Sequence, residues 1–214
     1  MRKELAFDRQ FVLFLRPSNG GKMQTKMPDQ LVTCHNFING TWVEGEKSSQ
    51  AVISPYNGRK MGEVSTPSAA QIDFAIKAAS VAQKSWSKLP IKERSKILFQ
   101  FRNILLREQD EISHLKSSES GKTFDEAKAG LMKGVEVLEY ALAIQNLDLG
   151  GKVEVSRGVT CEFRREPVGV VANITPFNFP AMVPMWTIPI ALALGNSYIW
   201  KPSDKTPLTA LKIA

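Results

Sequence analysis

Between Glu166 and Lys201 the chain carries no charged residue. A run of that length either enters a bilayer or is buried in a protein core. A spanning helix needs about 20 consecutive apolar residues. Here Pro176, Pro180, Pro184 and Pro189, with Asn173 and Asn178, interrupt the run. Proline has no amide donor and breaks a helix at that density. The run is therefore expected to be four packed pieces. Residues 168–174 form a strand buried on both faces, and 175–180 a turn. Residues 181–194 form a helix with proline in its first turn. Residues 197–200 form a second buried strand after Gly195-Asn196, a natural helix end. Strand, helix, strand with apolar strands is the βαβ unit of a parallel sheet, a Rossmann-like α/β arrangement.

Ligands of such sheets bind beyond the carboxyl ends of the strands. Two polar clusters lie there: Thr175-Pro-Phe-Asn-Phe-Pro180 after the first strand and Lys201-Pro-Ser-Asp-Lys205 after the second. The Asn178 carboxamide, between prolines and aromatics, can donate to a carbonyl oxygen that becomes an oxyanion. Lys201 and Asp204 can hold the two hydroxyls of a ribose. An acid there accepts from the 2′-hydroxyl and repels a 2′-phosphate, which favours NAD over NADP. A turn with an Asx cap and two surface charges would leave the same residues. The chain has no Gly-x-Gly-x-x-Gly, so the common dinucleotide fingerprint does not decide between them.

The upstream chain reads as a scaffold. Asn39-Gly40 between apolar segments signals a hairpin, and β segments near 51–54 and 63–65 complete a small β-meander. Ser68 with Gln71, and Thr123 with Glu126, are capping boxes. They open helices over 69–87 and from 123 to about 146. The first has Ile72, Ile76, Ala79, Gln83 and Trp86 as its buried stripe; the second has Leu131, Val135, Leu138 and Leu142. One helix from Pro90 to Gly121 lies between them and buries Ile97, Leu98, Phe101, Ile104, Leu105 and Ile112. Gly121-Lys122-Thr123 looks like the end of a phosphate loop, but Lys116 stands where that loop needs glycine. A helix end followed by a helix start is expected instead. Residues 150–166 form a hairpin turning at Ser156-Arg157-Gly158, with faces that are not strongly apolar. Two strands alone are marginal, so 150–166 is expected to pair with another chain.

Composition narrows the function. The net charge is +7. Residues 1–30 hold six basic groups against three acids, and the remainder alternates in sign. With no basic-aromatic stripe, a nucleic-acid partner is not expected. Cys34 and Cys161 are the only cysteines, His35 and His114 the only histidines, so neither a disulfide framework nor a metal site is expected. A reducing compartment follows: the cytoplasm, with the mitochondrial matrix as alternative. Residues 1–33 are read as a poorly packed tail. Its apolar run from Phe11 to Leu15 is too short for a secretory signal, and Glu4 and Asp8 count against a transit peptide.

Several segments resemble the aldehyde dehydrogenase superfamily: Glu166-Pro-Val-Gly-Val-Val, Ile174-Thr-Pro-Phe-Asn-Phe-Pro180, Pro189-Ile-Ala-Leu-Ala-Leu-Gly-Asn196 and Lys201-Pro-Ser-Asp-Lys-Thr-Pro207. Phe37-Ile-Asn-Gly-Thr-Trp and Glu119-Ser-Gly-Lys122 also fit. The resemblance covers about residues 35–214. Pro-Phe-Asn-Phe-Pro followed by Ala-Met-Val-Pro-Met-Trp looks most like the CoA-acylating methylmalonate-semialdehyde dehydrogenase branch. The resemblance implies an α/β fold, the N-terminal part of that family's fold. Residues 34–149 would be the first part of the NAD-binding domain, 150–166 a protruding oligomerisation hairpin, and 167–214 the start of the Rossmann-like sheet. It implies that Asn178 is the oxyanion donor and that Thr175 and Phe177 offer backbone groups to the nicotinamide side of NAD. Lys201 and Asp204, with Lys205 beside them, would bind the adenosine ribose. The implied reaction is NAD-dependent oxidation of an aldehyde, methylmalonate or malonate semialdehyde, to an acyl-CoA, with coenzyme A as co-substrate and a homo-oligomer as the working form.

Three departures qualify the likeness. Asp204 stands where the family usually has glutamate. Lys133 stands where the branch has a substrate-bound arginine, and lysine lacks the planar fork. The family's nucleophilic cysteine and general-base glutamate would follow Ala214, and neither Cys34 nor Cys161 has a matching context. The expectation is an incomplete form without dehydrogenase activity of its own. The alternative is a non-catalytic module that binds nucleotide or pairs with other subunits.

Overall fold

In the computed structural model, which describes residues 31–147 and 150–214, the two strands of the charge-free run pair in parallel. They are β8 (Val170–Ile174) and β9 (Ser197–Lys201), with Val170 opposite Ser197 and Ile174 opposite Lys201. Because they end level with one another, the 175–180 and 201–206 loops emerge side by side. The α/β, Rossmann-like expectation holds. The expectation that the first strand is buried on both faces does not. β8 has β9 as its one strand neighbour among the described residues, and Ile174 and Val168 are largely exposed.

The helix expected over 181–194 is two pieces, α5 (Met182–Met185) and α6 (Ile188–Ala193). Pro189 cannot donate to Met185, so the chain tightens through Trp186 and Thr187, whose amides bond the carbonyls of Val183 and Pro184, before a helix restarts. Asn196 then ties the end of α6 to the start of β8. Its amide donates to the Ala191 carbonyl, and its oxygen accepts from the Gly169 N–H.

Upstream, Asn39 and Gly40 both take positive φ between β2 (Asn36–Ile38) and β3 (Thr41–Val43), as a tight hairpin requires. The rest is not a meander. β4 (Gln50–Ile53) and β5 (Lys60–Val64) pair antiparallel, but β5 also pairs in parallel with β1 (Val32–Cys34). Val32 and Thr33 thus lie in a sheet and not in the tail assigned to 1–33; residues 1–30 lie outside the described residues. A three-residue strand whose partner is some thirty positions away leaves no local pattern.

Four helices follow where three were expected: α1 (Ala69–Trp86), α2 (Ile91–Arg107), α3 (Gln109–Ser120) and α4 (Phe124–Leu142). Both capping boxes form. The expected long middle helix breaks at Glu108, whose φ of −104° and ψ of 12° lie outside the helical region. Lys212 of α7 (Pro207–Ile213) pairs with Glu108 at that break and with Glu111 in the first turn of α3. The buried stripe of α1 is Ala75, Ala79, Ala82 and Trp86, with Ile72 and Ile76 half exposed. Small side chains let α1 approach β9 closely and leave the isoleucines on the flank. The main core joins Trp86, Leu98, Leu105, Leu131, Val135, Leu138, Met185, Tyr198 and Trp200. A second core joins β1, β4 and β5 to α3 and α7 through Val52, Met61, Leu115, Leu208 and Leu211.

The ribbon expected over 150–166 is present as β6 (Gly150–Ser156) and β7 (Val159–Arg164), turning at Gly158 with φ of 75°. Its faces correct the earlier reading. The pairing Val153–Cys161 and Gly151–Phe163 puts these residues on one face, while Lys152, Glu154, Thr160 and Glu162 share the other. Val153, Val155, Val159 and Phe163 are all more than half exposed.

Candidate active site

Parallel pairing places the two predicted loops at one end of the β8–β9 sheet, and backbone and side-chain contacts join them. Thr175, first after β8, is buried. Its N–H donates to the Lys201 carbonyl at 3.1 Å, and its hydroxyl accepts from the Trp200 indole at 2.8 Å. Its amide is therefore engaged inside the sheet. Phe177 is half exposed and lies under Lys205 of the other loop, with the ammonium 4.6 Å from the ring centre. Asn178 follows on the exposed crest. Phe179 turns inward beneath Lys122, whose ammonium is 3.8 Å from its ring centre.

On the second loop Lys201, Asp204 and Lys205 are exposed. The turn is capped by Ser203, whose hydroxyl accepts from the Lys205 N–H and whose carbonyl accepts from the Thr206 N–H. Asp204 does not serve as the cap. Its carboxylate receives only a 3.5 Å contact from the Ser203 hydroxyl, and among the described residues neither it nor Lys201 enters an ion pair. The turn therefore does not consume the acid in its own cap, and acid and ammonium both lie exposed.

The loop runs directly into α7, and the start of α7 is held by Glu119. Its carboxylate accepts from the Leu208 N–H at 2.5 Å, the Thr209 N–H at 2.8 Å and the Thr209 hydroxyl at 2.6 Å. Burial pushes the Glu119 carboxyl up to about 7, while the bonds from Thr209 and Leu208 pull it down. One turn earlier Lys116 is fully buried and donates to the Ala127 carbonyl at 3.0 Å. Desolvation, with the Lys122 charge added, brings it down to about 8. Gly130 makes room for it, since a Cβ there would sit 2.4 Å from the Lys116 ammonium. Sequence reasoning gave Lys116 and Glu119 no role here, because a lysine and a glutamate on a polar helix read as solvated.

Other singled-out residues lie elsewhere. Lys133 pairs with Glu136 on the exposed side of α4. Cys34 ends β1. It is buried, and desolvation together with the Glu119 charge pushes its thiol up to about 12. Cys161 lies exposed on the ribbon. No helix among the described residues is long and apolar enough to cross a membrane, and no three His, Cys, Asp or Glu side chains gather there as a metal site.

The chain resembles known proteins over most of its length. It is 38% identical over 181 residues to a malonate-semialdehyde dehydrogenase of Bacillus pumilus, covering 84% of this chain and 37% of that protein. A Sinorhizobium meliloti structure assigned as a methylmalonate-semialdehyde dehydrogenase, complexed with NAD, is 33% identical with a TM-score of 0.83. That match covers 86% of this chain and 38% of the other. The methylmalonate-semialdehyde dehydrogenase of Oceanimonas doudoroffii is 37% identical with a TM-score of 0.80, covering 83% and 36%. The chain thus spans little more than a third of the length of these relatives. Residues 42–214, which include both loops and the sheet that carries them, match the aldehyde dehydrogenase family, and the chain belongs to that family.

Proposed function

We propose that the two loops form a nucleotide site with an adjoining oxyanion donor, within an enzyme that oxidises malonate or methylmalonate semialdehyde. The observation that carries this reading is the free pair Lys201 and Asp204 on a turn capped by Ser203. The pair is suited to the hydroxyls of a ribose, and the acid disfavours a 2′-phosphate, so NAD is the proposed cofactor. NAD supplies a hydride acceptor. Lys201, Asp204 and Lys205 are the groups proposed for its ribose end, and the backbone of Thr175 and Phe177 for its nicotinamide end. Asn178, exposed on the crest of the first loop, is the proposed donor to an acyl oxygen as negative charge develops there. The names of the relatives support the semialdehyde as substrate class. Coenzyme A as acyl acceptor rests on the branch resemblance of residues 176–186.

Neither cysteine of this chain suits a nucleophile: Cys34 is buried with a raised pKa, and Cys161 lies on the ribbon. We therefore propose that the chain by itself binds nucleotide without turnover. The free state of both cysteines supports a reducing, cytoplasmic setting.

Isothermal titration of the purified chain tests this. NAD is expected to bind more tightly than NADP. Asp204→Ala is expected to narrow that preference by about tenfold, the value of one charge-assisted hydrogen bond. Asn178→Ala is expected to leave NAD affinity unchanged. Equal affinities for both nucleotides in the wild type would remove the ribose assignment. NADH formation from semialdehyde, NAD and coenzyme A by this chain alone would remove the binding-only reading.

A further inference from the structure

The end of α3 buries two ionisable side chains. Lys116 and Glu119 are both buried, and Lys122, just past the helix end at Gly121, is half-buried. A buried carboxylate is costly unless hydrogen bonds replace its water, and Glu119 receives all of its bonds from the start of α7. α7 begins two residues after Lys205. β9 fixes where the 201–206 loop starts, and Glu119 fixes where it ends. The other loop is reached from the same turn, through Lys122 over Phe179. Lys205 over Phe177 then links the two loops.

From this juxtaposition we infer that Glu119 is a positioning residue for both loops: through the first amides of α7 it sets the 201–205 segment, and Lys122 on the same turn holds 177–179 against it. The ligand of these loops rests on the nucleotide reading above; the positioning does not.

The alternative is that Glu119 caps α7 locally and nothing more. Amide hydrogen exchange on the full chain separates the two, comparing wild type, E119Q and E111Q. Glu111 also ties α3 to α7, but through Lys212 at the end of α7 away from the loop, so E111Q reports general loosening of that helix. In E119Q, exchange is expected to quicken about tenfold at Leu208 and Thr209. It is also expected to quicken at Lys205 and Thr206, whose amides bond Ser203 and not Glu119. In E111Q, Lys205 and Thr206 are expected to stay as in wild type. Acceleration confined to Leu208 and Thr209, or equal in the two variants at Lys205 and Thr206, overturns the inference. If E119Q does not fold, T209V removes one of the three donors at nearly constant shape and should give the same pattern at smaller size. NAD titration is read separately. E119Q is expected to weaken binding about tenfold and E111Q not at all, and an unchanged affinity beside loosened loops overturns the link to the ligand. A wild type that binds no NAD ends the nucleotide reading, while the exchange pattern still decides the positioning role.

Discussion

Glu119 makes stability depend on pH in a direction opposite to that of most salt-bridged carboxylates. Burial raises its carboxyl from the ordinary 4.5 to about 7 in the fold. Between those values the folded chain binds the proton and the unfolded chain does not. Its contribution to stability is therefore complete below 4.5 and lost as the pH rises through about 7. Urea unfolding of wild type and Glu119→Gln from pH 5 to 7.5 should show the wild type losing ground to the variant as pH rises. The slope of that difference should reach at most about 1.4 kcal/mol per pH unit, and parallel curves would show that the group does not titrate in that window. At this scale the places of Asn178, Lys201, Asp204 and Lys205 on the two loops were legible, because they sit at fixed offsets from recognisable strands. Glu119 was legible only as part of a familiar string, because nothing in a helix of mixed charges announces which polar residue faces inward.

Element boundaries were read well where chemistry is local and poorly where it is not. Both capping boxes and the Asn39-Gly40 turn formed because their donors and acceptors lie within three residues of one another. The break at Glu108 and the alanine stripe of α1 depend on Lys212 and β9, which are remote in sequence. Close helix packing also rests on Gly134. A Cβ there would meet Met185 Cβ and Cγ at 3.0 Å and the Ala181 carbonyl at 3.4 Å, where α4 faces α5. Gly134→Ala gains about 1 kcal/mol of helix propensity but overpacks a filled contact at a cost of about 1–3 kcal/mol. A net loss of about 1 kcal/mol in urea unfolding is expected. A net gain would show that Met185 moves aside.

At the scale of the whole molecule the ribbon stands out, because one of its faces is largely apolar and exposed. Val153, Val155, Val159 and Phe163 are exposed together, and two strands do not sustain such a face alone. We propose that a second copy of the chain covers it, consistent with the homo-oligomer that the family resemblance implies. Sedimentation should then show wild type larger than a monomer and Val153→Asp with Val155→Asp shifted to monomer, with unchanged circular dichroism. A monomeric wild type, or an assembly indifferent to the two changes, would place any contact elsewhere.

The sequence by itself determined that 167–200 would be strand, helix and strand, and that two polar loops, carrying Asn178 and the Lys201–Asp204 pair, would follow the strands. Those conclusions need only side-chain polarity and proline's missing donor, which act locally. Tertiary structure alone decided that β8 and β9 end level, that Ser203 and not Asp204 caps the turn, that β1 pairs with β5, and that Glu119 anchors α7. Each of these is a contact between segments far apart in the chain, and its geometry is set by how whole elements pack.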